Sequence, residues 1–124
     1  MNVYLSKPFM RLAAHQGLEN DQICRAVDEM NEGLIDATLG GSLFKKRIAM
    51  PGHGKRGSWR TLLGFQQGEK AFFLYLFPKS RLPNIQDKEL KALKNLAKFY
   101  MAMKPGEIRA ALDSGELREV KCDE

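Results

Sequence analysis

The stretch KKRIAMPGHGKRGSWR (Lys45–Arg60) holds six Lys/Arg and His53, contains no acid, and surrounds the three glycines of Pro51–Gly57. Side chains of these types handle phosphate. Arginine offers a planar fork of N–H donors that fits a phosphate edge, and lysine a compact point charge. Histidine is the side chain whose ordinary pKa suits proton transfer near neutrality. The charge is local. From Ala37 to Gln86 the only carboxylate is Glu69, against nine Lys/Arg, a net +8, while the whole chain carries +5. The first 36 residues sum to −3 and the last 38 to zero. A cationic zone confined to the middle of a chain is the electrostatic footprint of a nucleic-acid partner.

Strand alternation sorts these cations. Leu43–Met50 has the period of a strand: Phe44, Lys46, Ile48 and Met50 fall on one face, and Leu43, Lys45, Arg47 and Ala49 on the other. Pro51–Gly57 reads as an exposed, mobile loop carrying His53, Lys55 and Arg56. Ser58–Gln66 is a second strand, with Trp59, Thr61, Leu63 and Phe65 opposite Arg60 and Leu62. Gln67–Gly68 marks a turn, and Ala71–Phe77 is a third strand. The turn length decides which faces meet. A loop of two or four residues puts Phe72, Leu74 and Leu76 with Trp59, Leu63 and Phe65, and puts Arg60 with Tyr75 and Lys79. A three-residue loop reverses this. The even length is expected because it yields one continuous apolar face. The opposite face then gathers Lys45, Arg47, Arg60, Tyr75 and Lys79, with Phe73 and Phe77 among them.

The flanking sequence supplies the support. Asn2–Leu5 reads as a short strand. Ser6 is a good N-cap, Pro8 falls in the first turn, and Gly17 ends a helix with Phe9, Leu12 and Ala13 inside. A second helix begins near Asn20, spaces Ile23, Ala26, Val27 and Met30 at i, i+3, i+4 and i+7, and ends at Gly33 as C′. Asp87 opens a long helix that ends near Met103. One stripe of it is Leu90, Leu93, Ala97 and Tyr100, and another is Leu96, Phe99 and Met103, so it is expected to touch both the core and a partner. A short helix over Ile108–Leu112 and an extended Leu117–Val120 follow. This order predicts one α+β domain spanning residues 1–124, with a mostly antiparallel sheet, two N-terminal helices and a C-terminal helix.

At 124 residues the chain can bury a core unaided. No apolar run is long enough for a membrane span, and MNVYLSKPFM lacks the plan of a signal peptide. Cys24 and Cys122 are too few for a zinc motif or a disulfide framework, so both are expected as inert thiols in a reducing cytoplasm. His15 and His53 are not spaced with carboxylates as metal ligands would be, so neither metal nor cofactor is expected.

The blocks DATLGGSLFKKRIAMPGHGKRGSWRTLLGF (Asp36–Phe65), FFLYLFPKSRLPNI (Phe72–Ile85), KELKALKNLA (Lys88–Ala97) and SGELREV (Ser114–Val120) occur in an order that resembles the RelE/HigB-like toxins of bacterial type II toxin–antitoxin systems. The resemblance runs from about Phe9 to Val120. It implies a RelE/ParE-like fold and a ribosome-dependent endoribonuclease that cuts mRNA and stops translation. It implies as partners the ribosome, its mRNA and an antitoxin, often with a helix-turn-helix DNA-binding domain (HigA-like). Some relatives poison DNA gyrase instead, and a member inactive in itself would act only through its antitoxin. By the same resemblance Lys45, Arg47, Arg60 and Lys79 match the family's basic active-site positions. The loop departs from the pattern: relatives often carry GKSGGxR where this chain has GKRGSWR.

These residues carry the following expectations. Arg47 and Arg60 clamp phosphate. Lys45 or Lys79 transfers a proton if neighbouring cations depress its pKa, and His53 is the alternative. Lys55 and Arg56 add RNA contacts, and Tyr75, Phe73 and Phe77 are candidates for stacking on splayed bases. Phe73 and Phe77 have a competing fate under the C-terminal helix. Trp59 belongs to the core. Lys46, Lys70 and Arg81 are expected to do no more than solvate a face.

Overall fold

The computed structural model describes residues 1–49, 58–78 and 86–122. Among these described residues six strands and four helices follow in the order β1 (Asn2–Ser6), α1 (Lys7–Gln16), α2 (Asn20–Asn31), β2 (Ala37–Gly40), β3 (Leu43–Ala49), β4 (Ser58–Gln66), β5 (Lys70–Pro78), α3 (Asp87–Met101), α4 (Pro105–Ser114) and β6 (Leu117–Val120). The strands form one sheet in the order β2-β3-β4-β5-β1-β6. Only β1–β5 is parallel; the other pairs are antiparallel. The α+β expectation holds, with β2 and a full-length α4 as additions.

Local chemistry sets the helix limits. The Ser6 hydroxyl accepts from Phe9 N–H at 3.3 Å and donates to the Leu74 carbonyl, also at 3.3 Å, so one side chain caps α1 and ties it to β5. Gly17 ends α1 at φ 75°, a left-handed conformation that side chains with a Cβ disfavour. At the start of α2, α3 and α4 the N-cap N–H donates to the side chain three residues on: Glu19 to Gln22, Gln86 to Glu89 and Lys104 to Glu107.

The sheet is covered on both faces. On one side α1 and α2 bury Phe9, Ile23, Val27 and Met30 against Val3, Leu5, Ile48, Trp59, Leu63, Phe65, Phe73 and Leu76. On the other, α3 and α4 bury Ala97, Tyr100 and Ala111 against Tyr4, Leu43, Leu62, Phe72, Leu74 and Phe77. Gly64 of β4 lets α3 lie close to the sheet: a Cβ there would sit 3.2 Å from Met101 Cε and 3.4 Å from Ala97 Cβ. Helix α3 touches the core with its first stripe and leaves Phe99 of the second exposed.

Two expectations fail here. The β4–β5 turn has three residues, since Gln66 pairs with Lys70. Phe65 and Leu63 therefore face the α1/α2 side with Ala71 and Phe73, while Phe72 and Leu74 go to the α3/α4 side. A bulge between Leu62 and Leu63 then reverses the alternation again, pairing Leu62 with Tyr75, Thr61 with Leu76 and Arg60 with Phe77. Arg60 and Tyr75 share a face as expected, but through an odd turn and a bulge rather than an even turn. The cause is that β5 is apolar on both faces because both are covered, so alternation carries no register information.

The second failure concerns the cysteines. Cys24 on α2 and Cys122, just past β6, form a disulfide across 98 residues of sequence. They are remote in the chain but adjacent in space, with Cα atoms 5.4 Å apart.

Candidate functional site

Strands β3, β4 and β5 build the cationic surface on the α3/α4 side of the sheet. Helix α3 crosses that face near the row Leu43–Gly64–Phe72, where Lys94, Ala97 and Tyr100 pack. The next two rows lie beyond it. One is Lys45–Leu62–Tyr75, and the other is Arg47–Arg60–Phe77. Directly opposed residues of an antiparallel pair have Cα atoms roughly 4.5–5.5 Å apart. Arg47 and Arg60 are thus immediate neighbours, and Lys45 lies two residues along β3 from Arg47 on the same face. Like charges set directly opposite repel, so the arrangement costs stability unless an anion enters or a carboxylate offsets it.

The surroundings differ for each side chain. The Arg47 side chain is 50% exposed. Lys45 is half-buried, and so is Arg60, whose Nε is shut from solvent and has no hydrogen-bond partner among the described residues. Leaving a buried donor unpaired typically costs about 1–3 kcal/mol, so Arg60 presents an unfilled demand for an acceptor. Tyr75 is 39% exposed, with its ring 5.9 Å from that of Phe77.

Among the described residues one carboxylate pairs with a cation of this face, one that the sequence did not single out. Asp36 stands immediately before β2. Its Oδ2 accepts the Arg47 backbone N–H at 2.5 Å, and its Oδ1 lies 3.6 Å from Arg47 Nε. The available signal was its place at the border of the acid-free segment.

Lys45, Arg47, Arg60 and Tyr75 are therefore brought together. Phe73 is not: it is fully buried on the opposite side of the sheet against Phe9, with ring centroids 5.2 Å apart, and cannot stack on a base. Phe77 is on the cationic side but only 6% exposed, so it serves as floor rather than as a stacking platform. It belongs to the apolar cluster on the α3/α4 side, whereas Phe73 is covered by α1 rather than by a C-terminal helix. His53, Lys55, Arg56, Lys79 and Arg81 lie outside the described residues. Trp59 is core as expected, and its Nε1 donates to Gln16 Oε1 at 3.4 Å.

The two lysines expected only to solvate a face are both engaged. Lys46 points to the α2 side, where its buried Nζ meets Glu29 Oε1 at 2.8 Å and the Leu34 carbonyl at 3.0 Å. Lys70 Nζ donates to the Met101 carbonyl at the end of α3 at 3.0 Å, where a cation complements the helix dipole.

Among the described residues no helix is long and apolar enough to cross a membrane. No curated protein matches the chain. The family model for the RelE toxin of the RelE/RelB toxin–antitoxin system matches residues 1–120. With an α+β sheet that gathers three cations on one face and a match spanning nearly its whole length, the chain belongs to the RelE toxin family, whose members are paired with an antitoxin.

Proposed function

We propose that this toxin is an endoribonuclease that cuts mRNA on translating ribosomes and so halts protein synthesis. The observation that carries the proposal is Arg60, half-buried and set directly opposite Arg47 on the face that also holds Lys45 and exposed Tyr75, with its Nε unpartnered among the described residues. A phosphate bound between the two guanidiniums offsets the facing cations.

The chemistry assigned to this face is transfer at phosphorus. The 2′-oxygen loses its proton and bonds to the adjacent phosphorus, and the bond to the 5′-oxygen breaks. That oxygen gains a proton, leaving a 2′,3′-cyclic phosphate and a 5′-hydroxyl. Arg47 and Arg60 stabilise the extra charge on the pentacoordinate phosphate. Lys45 stands in the next row, within reach of the same phosphate, and Tyr75 offers a ring to an unstacked base. By family resemblance Lys79 supplies a further cationic or proton-transfer group; His53 is the alternative for proton transfer because of its ordinary pKa, and Lys55 and Arg56, by their charge, add RNA contacts.

The antitoxin is proposed to be a helix-turn-helix protein that silences the toxin by covering the cationic face. The proposed site of action is the cytoplasm. The cytoplasm is reducing, so the Cys24–Cys122 bond of the structure is one that reductant there can open. The deciding experiment is induction without antitoxin, with and without Arg60→Ala. Growth arrest with new mRNA ends inside ribosomal A-site codons, abolished by Arg60→Ala, is expected. Arrest with intact transcripts sinks the proposal, and loss of DNA supercoiling with intact mRNA identifies gyrase as the target.

A further inference from the structure

We infer that Asp36 is a positioning residue: it holds the Arg47 guanidinium with its outer edge turned to the RNA phosphate. The inference rests on the phosphate-binding role proposed above for this face. Strand β2 pairs with β3 only as far as Ala37–Lys45. Beyond that point the N–H of Arg47 has no strand partner on the β2 side, and the Asp36 carboxylate takes the place of one. The same carboxylate pairs by charge with the Arg47 side chain, its Oδ1 standing 3.6 Å from Nε, beyond hydrogen-bond distance. One carboxylate thereby holds the Arg47 main chain by a hydrogen bond and draws its side chain by charge.

The geometry divides the guanidinium by function. It has five N–H donors in a rigid fork. With the Nε edge turned to Asp36, the edge formed by the two Nη groups stays available for two parallel bonds to phosphate. No hydrogen bond among the described residues uses those Nη donors, and half of the side chain is exposed. Arg60 adds a second reason. Opposed arginines repel, and a free Arg47 would swing into solvent away from Arg60. Asp36 offsets one charge and keeps Arg47 on the strand, so the two guanidiniums can act on one phosphate. The Asp36 side chain retains 26% of its exposure, enough screening to keep the pair from locking Arg47 away.

The sign of one substitution separates positioning from simple charge. Removing a carboxylate beside an RNA site raises the local positive potential, so charge alone predicts tighter binding after Asp36→Asn. Positioning predicts weaker binding. Asp36→Asn keeps an oxygen for the Arg47 N–H, so the backbone tie and the fold are retained. Binding of a non-cleavable 2′-O-methyl single-stranded oligoribonucleotide to the purified full chain is read by fluorescence anisotropy. We expect Asp36→Asn to weaken binding about fivefold, on the scale of one ordered charged contact. In an Arg47→Ala background the same change is expected to have no weakening effect. Unchanged or tighter binding in Asp36→Asn overturns the inference, as does equal weakening in the Arg47→Ala background. If Arg60→Ala weakens binding while Asp36→Asn does not, only the role of Asp36 falls. If the unaltered chain fails to bind the oligonucleotide, the role of the face falls and takes this inference with it.

Discussion

Opening the Cys24–Cys122 bond should lower stability by an amount the structure sets. The bond spans 98 residues of a 124-residue chain. In the chain-entropy account, cross-linking a loop of about 100 residues takes roughly 4.7 kcal/mol of freedom from the unfolded state. A chain of this length unfolds with an entropy of about 0.26 kcal/mol/K near its midpoint, from roughly 2.1 cal/mol/K per residue. The full effect then corresponds to a Tm lowered by about 18 °C. Bridges often deliver less than the ideal, and half of it still gives about 9 °C. The assay is calorimetry of the same chain with and without reductant. Cys24→Ser/Cys122→Ser serves as control, since the chain has no other cysteine. Oxidised and reduced forms melting within about 3 °C of each other would refute the reasoning. That result would mean that the two ends of the bridge restrict the unfolded chain no more than its residual structure already does.

Three further outcomes are expected. Lys46→Met should cost about 1–2 kcal/mol in urea unfolding, because the Leu34 carbonyl loses a charged donor while the half-exposed Glu29 rehydrates; RNA affinity should not change, since Lys46 faces α2 and not the cationic surface. Gly64→Val should cost about 1–3 kcal/mol, because the added methyls meet Ala97 and Met101 and force α3 off the sheet; a neutral result would mean that the helix moves freely. Burial, then the charge of Glu116 and the bond that the Tyr100 hydroxyl donates to it, push the Tyr100 phenol up to about 12 from its ordinary 10. The folded state thus holds this proton more tightly than the unfolded one, so its contribution to stability is complete below pH 10 and is lost as pH rises toward 12. Ultraviolet absorbance titration should show a late-ionising tyrosine that is lost in Tyr100→Phe and ionises earlier in Glu116→Gln, while Tyr4, which burial and then Glu119 also push up, stays late in both.

Local patterns were legible in the chain itself. Ser6, Gly17 and Gly33 mark helix ends because capping depends on neighbours in sequence. The alternation of Leu43–Ala49 separates Lys46 from Lys45 and Arg47 because a strand has period two whatever it pairs with. The acid-free middle of the chain, and the identity of the cations in it, follow from composition alone. None of these required a distant contact.

What the tertiary structure alone decided were relations between distant segments. With helices on both sides of the sheet, both faces of β5 are apolar, so the odd turn and the bulge that restores Arg60 to the side of Tyr75 leave no mark in its pattern. The burial of Phe73 under α1 follows from that register. The Cys24–Cys122 bond and the approach of Asp36 to Arg47 have the same origin, since a pairing of residues far apart in sequence is set by how the layers stack. Sequence by itself therefore determined which side chains could bind phosphate and which strand face would carry Lys45 and Arg47. Packing decided which partners those side chains meet, because register and layer contacts are properties of the assembled sheet and not of any one strand.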